Sequence, residues 1–391
     1  MAAGDDGRNL AECGRCVGHG RNLTAMRLAR DGWCARSQTG DNKQVKTLHL
    51  IVDPACLETP DAGEALERAA AILRAGGLVA LPTETVYGLG ANALDRAAVE
   101  RIFAAKSRPA WDPIIVHIAS EAMLEGLVAE VPAAARRLME QFWPGPLTLL
   151  LPRTAAVPDA VTAGRPLVGV RVPSHPVALE LIRRAQVPVA APSANRFGHI
   201  SPTTAQHVLD DLDGRIDAVV NAGPSPRGVE STVLDPSTMT IYRPGAVTAE
   251  QIRAVAGPVE MFESAGGLRE MPTEALPSPG VGLRHYAPRA RLVLVDAPLD
   301  ELGMRLAQIA LGIQGERIGV MLPGGVHVPG GLAECRVVAW GAWSRPDEMA
   351  HDLYAGLRTL DQQGCTVILC PLPAAEGIGA AIRDRLKKAG M

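Results

Sequence analysis

The chain has 391 residues, of which 47% are hydrophobic and 21% charged, and a formal net charge of −3. This length favours two domains, the apolar fraction excludes a wholly disordered chain, and the small negative charge provides no global basic field for nucleic acid. The 40 glycines and 31 prolines follow no repeat, which excludes collagen-like and low-complexity chains and favours a loop-rich globular enzyme.

Residues 1–45 mix Gly, Asp, Arg and Asn without a hydrophobic period. We expect this segment to be disordered, or to be an upstream extension from a misassigned start codon. Cys13, Cys16, His19 and Cys34 imitate a set of zinc ligands, but no second ligand pair follows at short spacing, so we predict no metal site here.

The chain lacks the features of a membrane or secreted protein. No apolar run approaches the ~20 residues of a membrane span, and the N-terminus has no positively charged stretch followed by an apolar core. Seven cysteines, an odd number, suit a reduced cytosol rather than a disulfide framework. We therefore expect a cytoplasmic protein that does not bind membranes.

Residues 46–262 alternate irregularly between helical and strand patterns, which predicts a twisted mixed sheet with helices packed on it. The segment 83–93 between the first strand and the second helix is expected to be a turn-rich loop. The predicted helices are 61–74, 95–105, 132–142, 175–185 and 203–212, and the predicted strands are 78–82, 114–118, 147–151, 167–173, 187–195, 217–221, 231–235 and 240–244.

Residues 263–290 are rich in Gly and Pro and too poor in apolar residues to form a core element, so we interpret them as a linker. Residues 291–391 then alternate strands and helices regularly. This pattern predicts a smaller, Rossmann-like domain with a parallel α/β fold.

The distribution of lysine singles out one residue. Of 39 basic residues only five are Lys, and Lys106 is the one lysine between residues 47 and 386. Because an ordinary surface cation could have been Arg here as elsewhere, a retained ammonium indicates a functional role for Lys106.

Several signatures of catalysis are missing: GxxxxGK[ST], HExxH, GxSxG and a GxGxxG after a strand. What the first domain offers instead is a set of cations and hydroxyls near predicted strand ends, which are typical of an anion site and most plausibly of a polyphosphate site. The polar residues in these positions are Thr83, Thr85, Lys106, Arg108, His117, Arg171, Ser193, Asn195, Ser201, Ser231 and Arg243.

Eight stretches, which span about residues 47–391, resemble the Sua5/YrdC/YciO family in sequence and in order. They are PTETVYGLGANA (82–93), KSRPAWDPIIVHI (106–118), WPGPLTLLL (143–151), VRVP (170–173), APSAN (191–195), GVEST (228–232), YRPG (242–245) and PSPGVGLRHYAP (277–288). The last stretch is similar to the linker of the long, two-domain form of the family.

The resemblance implies a YrdC-like catalytic domain, a lid-forming linker and a Sua5-type C-terminal domain. It also implies a reaction in which L-threonine, bicarbonate and ATP give threonylcarbamoyl-AMP and pyrophosphate, with Mg²⁺ accompanying ATP and no tightly bound cofactor. The product would supply the machinery that transfers threonylcarbamoyl to position 37 of tRNA, and direct binding of tRNA stays open.

The resemblance also implies roles for individual residues. Catalysis is expected of Lys106 and Arg108. The positions that match ATP contacts are Lys106, Arg108, Asp112, Ser193, Ser201, Arg243 and Tyr286, and those that match L-threonine contacts are Thr85, His117, Arg171, Ala191 and Ser231. Asp112 stands where the family usually has Asn, which puts a contact to adenine or ribose there in doubt.

Two other functions remain as alternatives. A carbamoyltransferase of the hydrogenase-maturation type uses a similar module, but it would need acylphosphatase-like and zinc-finger segments, for which 45 upstream residues are too few. An RNA-binding or ribosome-assembly protein is opposed by the acidic pI of about 6.3 and by the small number of aromatic residues.

Overall fold

The structure is a computed structural model that describes residues 46–262, 275–278, 280–281, 285–328, 330 and 332–391. The predictions for residues 1–45, including the zinc-like set, lie outside the described residues, as does the linker segment 263–274. In the described part of the chain, no helix is both long and apolar enough to cross a membrane.

Local signals start and stop the first two helices. Helix α1 (Pro60–Arg74) begins with Pro60 at its first turn, and the hydroxyl of Thr59 accepts a hydrogen bond from the Ala62 amide. Helix α2 (Arg96–Lys106) is capped by the Asp95 carboxylate and ends at Ser107, whose φ of 54° lies in the left-handed region. The remaining helices are α3 (Ala133–Phe142), α4 (Asp159–Thr162), α5 (Pro176–Ala185), α6 (Ala205–Leu212), α7 (Ala249–Ala256), α8 (Leu299–Gly312), α9 (Pro346–Gln362) and α10 (Ile378–Ala389).

Eleven strands within residues 46–262 form one mixed sheet in the order β1-β8-β2-β3-β7-β4-β6-β5-β9-β10-β11. We call residues 46–262 the large domain. Its strands are β1 (Leu48–Ile51), β2 (Val79–Leu81), β3 (Gly88–Asn92), β4 (Val116–His117), β5 (Leu147–Pro152), β6 (Leu167–Arg171), β7 (Val189–Ala190), β8 (Ala218–Asn221), β9 (Thr232–Asp235), β10 (Thr240–Arg243) and β11 (Glu260–Met261).

Residues 291–391, here the small domain, contain a second sheet in the order β12-β15-β13-β14. All three strand pairings in it are parallel. The strands are β12 (Arg291–Val295), β13 (Ile318–Gly324), β14 (Arg336–Ala342) and β15 (Val367–Pro371). The predicted fold class, α/β with a twisted mixed sheet and a smaller Rossmann-like parallel domain, is confirmed.

The prediction of a loop over 83–93 was wrong in part, because Gly88–Asn92 forms β3 and pairs antiparallel with β2. Two glycines made this stretch resemble a turn. Their actual use is packing: a Cβ on Gly90 would lie 2.8 Å from side-chain atoms of both Leu81 and Val189. The sequence patterns also did not predict β1, α4, α7 or β11.

The two domains share one apolar cluster, which we call the shared cluster. Val86, Ile200 and Val229 of the large domain pack in it together with Tyr286 and with buried residues of the small domain such as Trp340. Because these side chains exclude water jointly, the cores of the two domains are continuous at this point.

Candidate active site

A cleft formed by the large domain and the linker gathers polar side chains from strand ends that are distant in the sequence. The cleft opens to solvent, and the space between its walls, counted out to the mouth, is about 550 Å³. Its described lining residues are Thr83, Thr85, Val86, Gly88, Arg108, Pro113, Ile114, Ile115, His117, Arg171, Ala191, Pro192, Ser193, Glu230, Ser231, Arg243, Gly280, His285 and Tyr286.

Strand register places two of the predicted residues side by side. His117 ends β4 and Arg171 ends β6, and the two are paired in the parallel ladder between these strands. Burial, reinforced by the charge of Arg171, holds the pKa of His117 well below its usual range. The imidazole is therefore neutral at physiological pH, and its Nδ1 has no hydrogen-bond partner among the described residues.

Arg171 is oriented by two residues that follow β2. Its Nη1 donates to the Thr85 hydroxyl at 3.1 Å and its Nη2 to the Glu84 carboxylate at 2.9 Å. Within the described structure its Nε has no partner, so a buried donor remains for an anion. Burial lowers the pKa of Arg171, and the charge of Glu84 opposes this shift.

Ser231 and Arg243 form a second polar group on the same wall. Arg243, at the end of β10, donates to the Ser231 carbonyl and hydroxyl oxygens, each at 3.1 Å. The Ser231 hydroxyl lies 2.9 Å from that of Thr148 on β5. The turn after β10 needs Gly245, because a Cβ there would come within 2.3 Å of the Thr232 nitrogen.

Arg108 reaches the cleft because the left-handed Ser107 turns the chain sharply at the end of α2. Its Nη2 forms an ion pair with the Asp112 Oδ2 at 2.9 Å and donates to the Pro113 carbonyl at 2.8 Å. Burial raises the pKa of Asp112, although the charge of Arg108 offsets part of this effect. Asp112 thus lies behind the cleft wall as the counter-ion of Arg108.

Lys106 also lies behind the wall rather than on it. Its ammonium donates to the backbone carbonyl oxygens of Ser193 and Asn195, and its own carbonyl accepts from the Phe197 amide at 2.9 Å. Burial and the charge of Arg108 hold its pKa well below the usual range. In this arrangement Lys106 fixes the loop that carries Ser193 into the cleft.

Glu230 is a site residue that the sequence patterns did not indicate. Its Oε1 accepts from the Ser201 hydroxyl at 2.6 Å, and its Oε2 accepts from Tyr354 at 2.9 Å and from Arg385 at 2.8 Å. Burial alone would raise the pKa of Glu230, but the charges of Arg385 and Arg243 and the hydrogen bonds from Ser201 and Arg385 lower it to about 2.

Tyr286 forms part of the cleft wall although it belongs to the linker. Its φ of 63° lies in the left-handed region, a conformation that costs a non-glycine residue energy and that its surroundings must impose. Its ring stacks on Tyr354 with centroids 5.8 Å apart. The next residue, Ala287, donates its amide to the Gly198 carbonyl at 2.9 Å, which anchors the linker to the large domain.

Of the twelve residues to which the resemblance assigns roles, the structure brings nine onto one wall: Thr85, Arg108, His117, Arg171, Ala191, Ser193, Ser231, Arg243 and Tyr286. Thr83, which the strand-end pattern also indicated, lies on the same wall. Lys106, Asp112 and Ser201 lie directly behind it. Sequence reasoning missed Glu84, Glu230 and the two small-domain residues that bind Glu230. Glu84 and Glu230 do stand inside the motifs PTETVYG and GVEST, which was the available signal.

Among the described residues no group of three or more His, Cys, Asp or Glu side chains is placed to hold a metal ion. A cation in this cleft would therefore take most of its ligands from a bound phosphate chain, as Mg²⁺ commonly does.

Two family models match the chain consecutively. Residues 71–245 match the model of Sua5, YciO and YrdC proteins, which is described as telomere recombination. Residues 247–390 match a model described as the C-terminal domain of threonylcarbamoyl-AMP synthase.

Curated relatives match over most of both domains. The threonylcarbamoyl-AMP synthase of Pyrococcus abyssi is 41% identical over 325 residues, which cover 82% of this chain and 92% of the relative. The synthase of Bacillus subtilis is 42% identical over 330 residues, 83% of this chain and 92% of the relative. A crystal structure of P. abyssi Sua5 complexed with L-threonine superposes with a TM-score of 0.80 at 39% identity, covering 88% of this chain and 98% of that one.

Proposed function

Because this chain belongs to the Sua5/YrdC/YciO family, we propose that it converts L-threonine, bicarbonate and ATP into threonylcarbamoyl-AMP and pyrophosphate. It is a nucleotidyltransferase with a Sua5-type two-domain chain. Its relatives bear the name of this activity, and the P. abyssi protein was crystallised with L-threonine.

The observation that carries the proposal is the convergence of Arg108, Arg171 and Arg243 on one cleft with several hydroxyl groups. The carbamate formed from threonine and the triphosphate of ATP are both anions, and they repel each other. Buried guanidinium groups offset this repulsion and bind carboxylate and phosphate oxygens through paired hydrogen bonds.

The chemistry needs positioning more than an enzyme nucleophile. Bicarbonate and a proton give CO₂ and water, the uncharged amine of threonine adds to the carbon of CO₂, and the nitrogen then loses a proton to leave a carbamate. A carbamate oxygen then attacks the α-phosphorus of ATP, the bond from that phosphorus to the β-phosphate oxygen breaks, and pyrophosphate leaves with both electrons of the bond. Fixed positive charge near the leaving group stabilises this step.

L-threonine fits the subsite formed by Arg171, Thr85, His117 and Ser231. We assign the substrate carboxylate to Arg171, whose Nε is unpaired within the described structure. The hydroxyls of Thr85 and Ser231 suit the small polar substrate, and the neutral His117 can accept or donate one hydrogen bond without adding charge. The backbone of Ala191 completes this side of the cleft.

We place ATP, as its magnesium complex, beside this subsite on the same wall. We assign phosphate contacts to Arg108, Arg243 and the Ser193 hydroxyl, with Tyr286 covering the nucleotide. Lys106 and Ser201 would act from behind the wall unless their side chains turn inwards when nucleotide binds. Asp112 compensates the charge of Arg108.

We further propose that the product, a labile mixed anhydride, passes in the cytoplasm to a separate transfer machinery that modifies adenosine 37 of tRNAs reading ANN codons. Weak direct binding of tRNA is compatible with this role. Release of the product to the transfer machinery does not itself require a basic surface for tRNA.

The test is pyrophosphate release from ATP with each substrate omitted in turn. We expect release to require both L-threonine and bicarbonate, and the nucleotide product to have the mass of threonylcarbamoyl-AMP. Release that needs carbamoyl phosphate instead would support the carbamoyltransferase, and RNA binding without any pyrophosphate release would support the RNA-binding alternative.

A further inference from the structure

Glu230 is electrostatically out of place. Among the described lining residues of the cleft it is the one carboxylate, whereas the arginines that line the cleft are cations. An unrestrained carboxylate in this position would repel incoming phosphates and compete with them for Arg243. A phosphate-binding cleft that contains Glu230 therefore needs partner groups that compensate this negative charge.

The small domain supplies these partners for Glu230. Arg385 lies on α10, 155 residues from Glu230 in the sequence, and its Nε donates to Glu230 Oε2 at 2.8 Å. Tyr354 on α9 donates to the same oxygen at 2.9 Å. Both members of the ion pair are buried, with 1% of the Arg385 side chain and 8% of the Glu230 side chain exposed.

The same guanidinium contacts the linker tyrosine. Its carbon atom Cζ lies 5.3 Å from the centroid of the Tyr286 ring, which is the geometry of a cation–π interaction. The Tyr286 ring is held from another side by Tyr354. One arginine of the small domain thus fixes both an anion and an aromatic ring on the cleft wall.

We propose that Arg385 is a positioning residue for nucleotide binding: it holds the Glu230 carboxylate back and Tyr286 in place, so that the cleft arginines remain free for the phosphates of ATP. This inference rests on the proposed function. It makes the small domain a contributor to nucleotide affinity, although that domain places none of its described residues on the cleft wall.

The decisive variants are Arg385→Gln, Glu230→Gln and the double variant. Removing one partner of a buried pair leaves an uncompensated charge, whereas removing both leaves neither charge of the pair behind. Asp384, which also accepts from Arg385 at 2.6 Å, keeps Lys388 as a partner in each variant. We expect Arg385→Gln to raise KM for ATP by about tenfold or more, with KM for L-threonine changed by less than about twofold. The double variant should return KM for ATP to within about threefold of the parent, since the free carboxylate is gone.

Two further variants separate positioning from folding. Arg383→Gln is the matched control, because Arg383 lies on the same helix but pairs with Asp296 and the Pro373 carbonyl; it should leave both KM values unchanged. Arg385→Lys keeps the charge on a different head group and should raise KM for ATP less than Arg385→Gln. Thermal melting shows which variants are folded.

Equal increases in both KM values, or a double variant as impaired as Arg385→Gln, would overturn the proposal. Binding of a non-hydrolysable ATP analogue, measured by calorimetry, should show the same order of affinities. This second measurement separates the role of Arg385 from the proposed function. A parent protein without threonine-dependent pyrophosphate release would contradict the proposed function, whereas the affinities of the variants for the analogue would still test the role of Arg385.

Discussion

The ammonium of Lys106 donates a hydrogen bond to the backbone carbonyl of Asn195, 89 residues further along the chain. With a second bond to the Ser193 carbonyl, it ties the end of α2 to the loop that enters the cleft. The one lysine in this long stretch of the sequence thus lies buried at the edge of the site, where its compact head group matters.

We expect Lys106→Arg to lower kcat/KM for ATP by about 100-fold and to destabilise the protein by roughly 1–3 kcal/mol. The planar guanidinium group of arginine is larger than the lysine ammonium and would overfill the closed space around it. Steady-state pyrophosphate release and urea unfolding measure both effects. Lys46→Arg, at an exposed position, is the control. A kcat/KM near that of the parent would show that the charge alone suffices.

Glu84→Gln should weaken threonine binding and the fold together. Glu84 and Arg171 form a buried ion pair, and breaking such a pair typically costs about 3–5 kcal/mol. Because Arg171 loses the group that orients it, we expect KM for L-threonine to rise more than KM for ATP. Glu67→Gln, which breaks an exposed pair with Arg74, should change the free energy of unfolding by less than about 1 kcal/mol. A normal KM for L-threonine in Glu84→Gln would contradict the assigned subsite.

The free energy of unfolding should fall as the pH drops below about 6.5, the usual pKa of histidine. Burial holds the pKa values of His117 and His285 well below their usual range. The unfolded chain then binds protons that the folded chain does not, so acid favours unfolding, with a slope of up to about 1.4 kcal/mol per pH unit for each residue.

Urea unfolding between about pH 7.5 and pH 5.5 measures this slope. His117→Gln should reduce the slope of the free energy of unfolding against pH by the contribution of one histidine. The double variant with His285→Gln should reduce this slope further. An unchanged slope in both variants would mean that these rings are protonated in the folded protein.

Tyr286→Ala should release more free AMP per pyrophosphate than the parent enzyme. If the linker covers ATP, it excludes water and protects the mixed anhydride from hydrolysis. Tyr286→Phe keeps the ring that stacks on Tyr354 and should behave nearly as the parent. A ratio of AMP to pyrophosphate equal to that of the parent in Tyr286→Ala would favour a passive tether over a lid.

Local signals were sufficient to predict most helices, because a helix depends on neighbours in the sequence. The cap residues Thr59 and Asp95 and the apolar spacing in α1 and α2 act within one or two turns. The strand β3 was missed because Gly90 allows a close approach of Leu81 and Val189, which no local pattern reveals.

The same distinction applies to the site. Arginines and hydroxyls at strand ends, together with the family motifs, were sufficient to predict ten residues of the cleft wall. Glu84 and Glu230 were missed because their roles depend on partners 87 and 155 residues away. The role of such a carboxylate cannot be predicted from the sequence, because it depends on which cation the fold places beside it.

The shared cluster has a consequence for how the protein loses activity. Val86 and Tyr286, which line the cleft, pack in the same cluster as the core of the small domain. Partial melting of α9 or α10 would therefore disassemble the cleft while the eleven-stranded sheet is still intact. By linkage, a nucleotide that fills the cleft should slow hydrogen exchange in these two helices, far beyond the residues it touches.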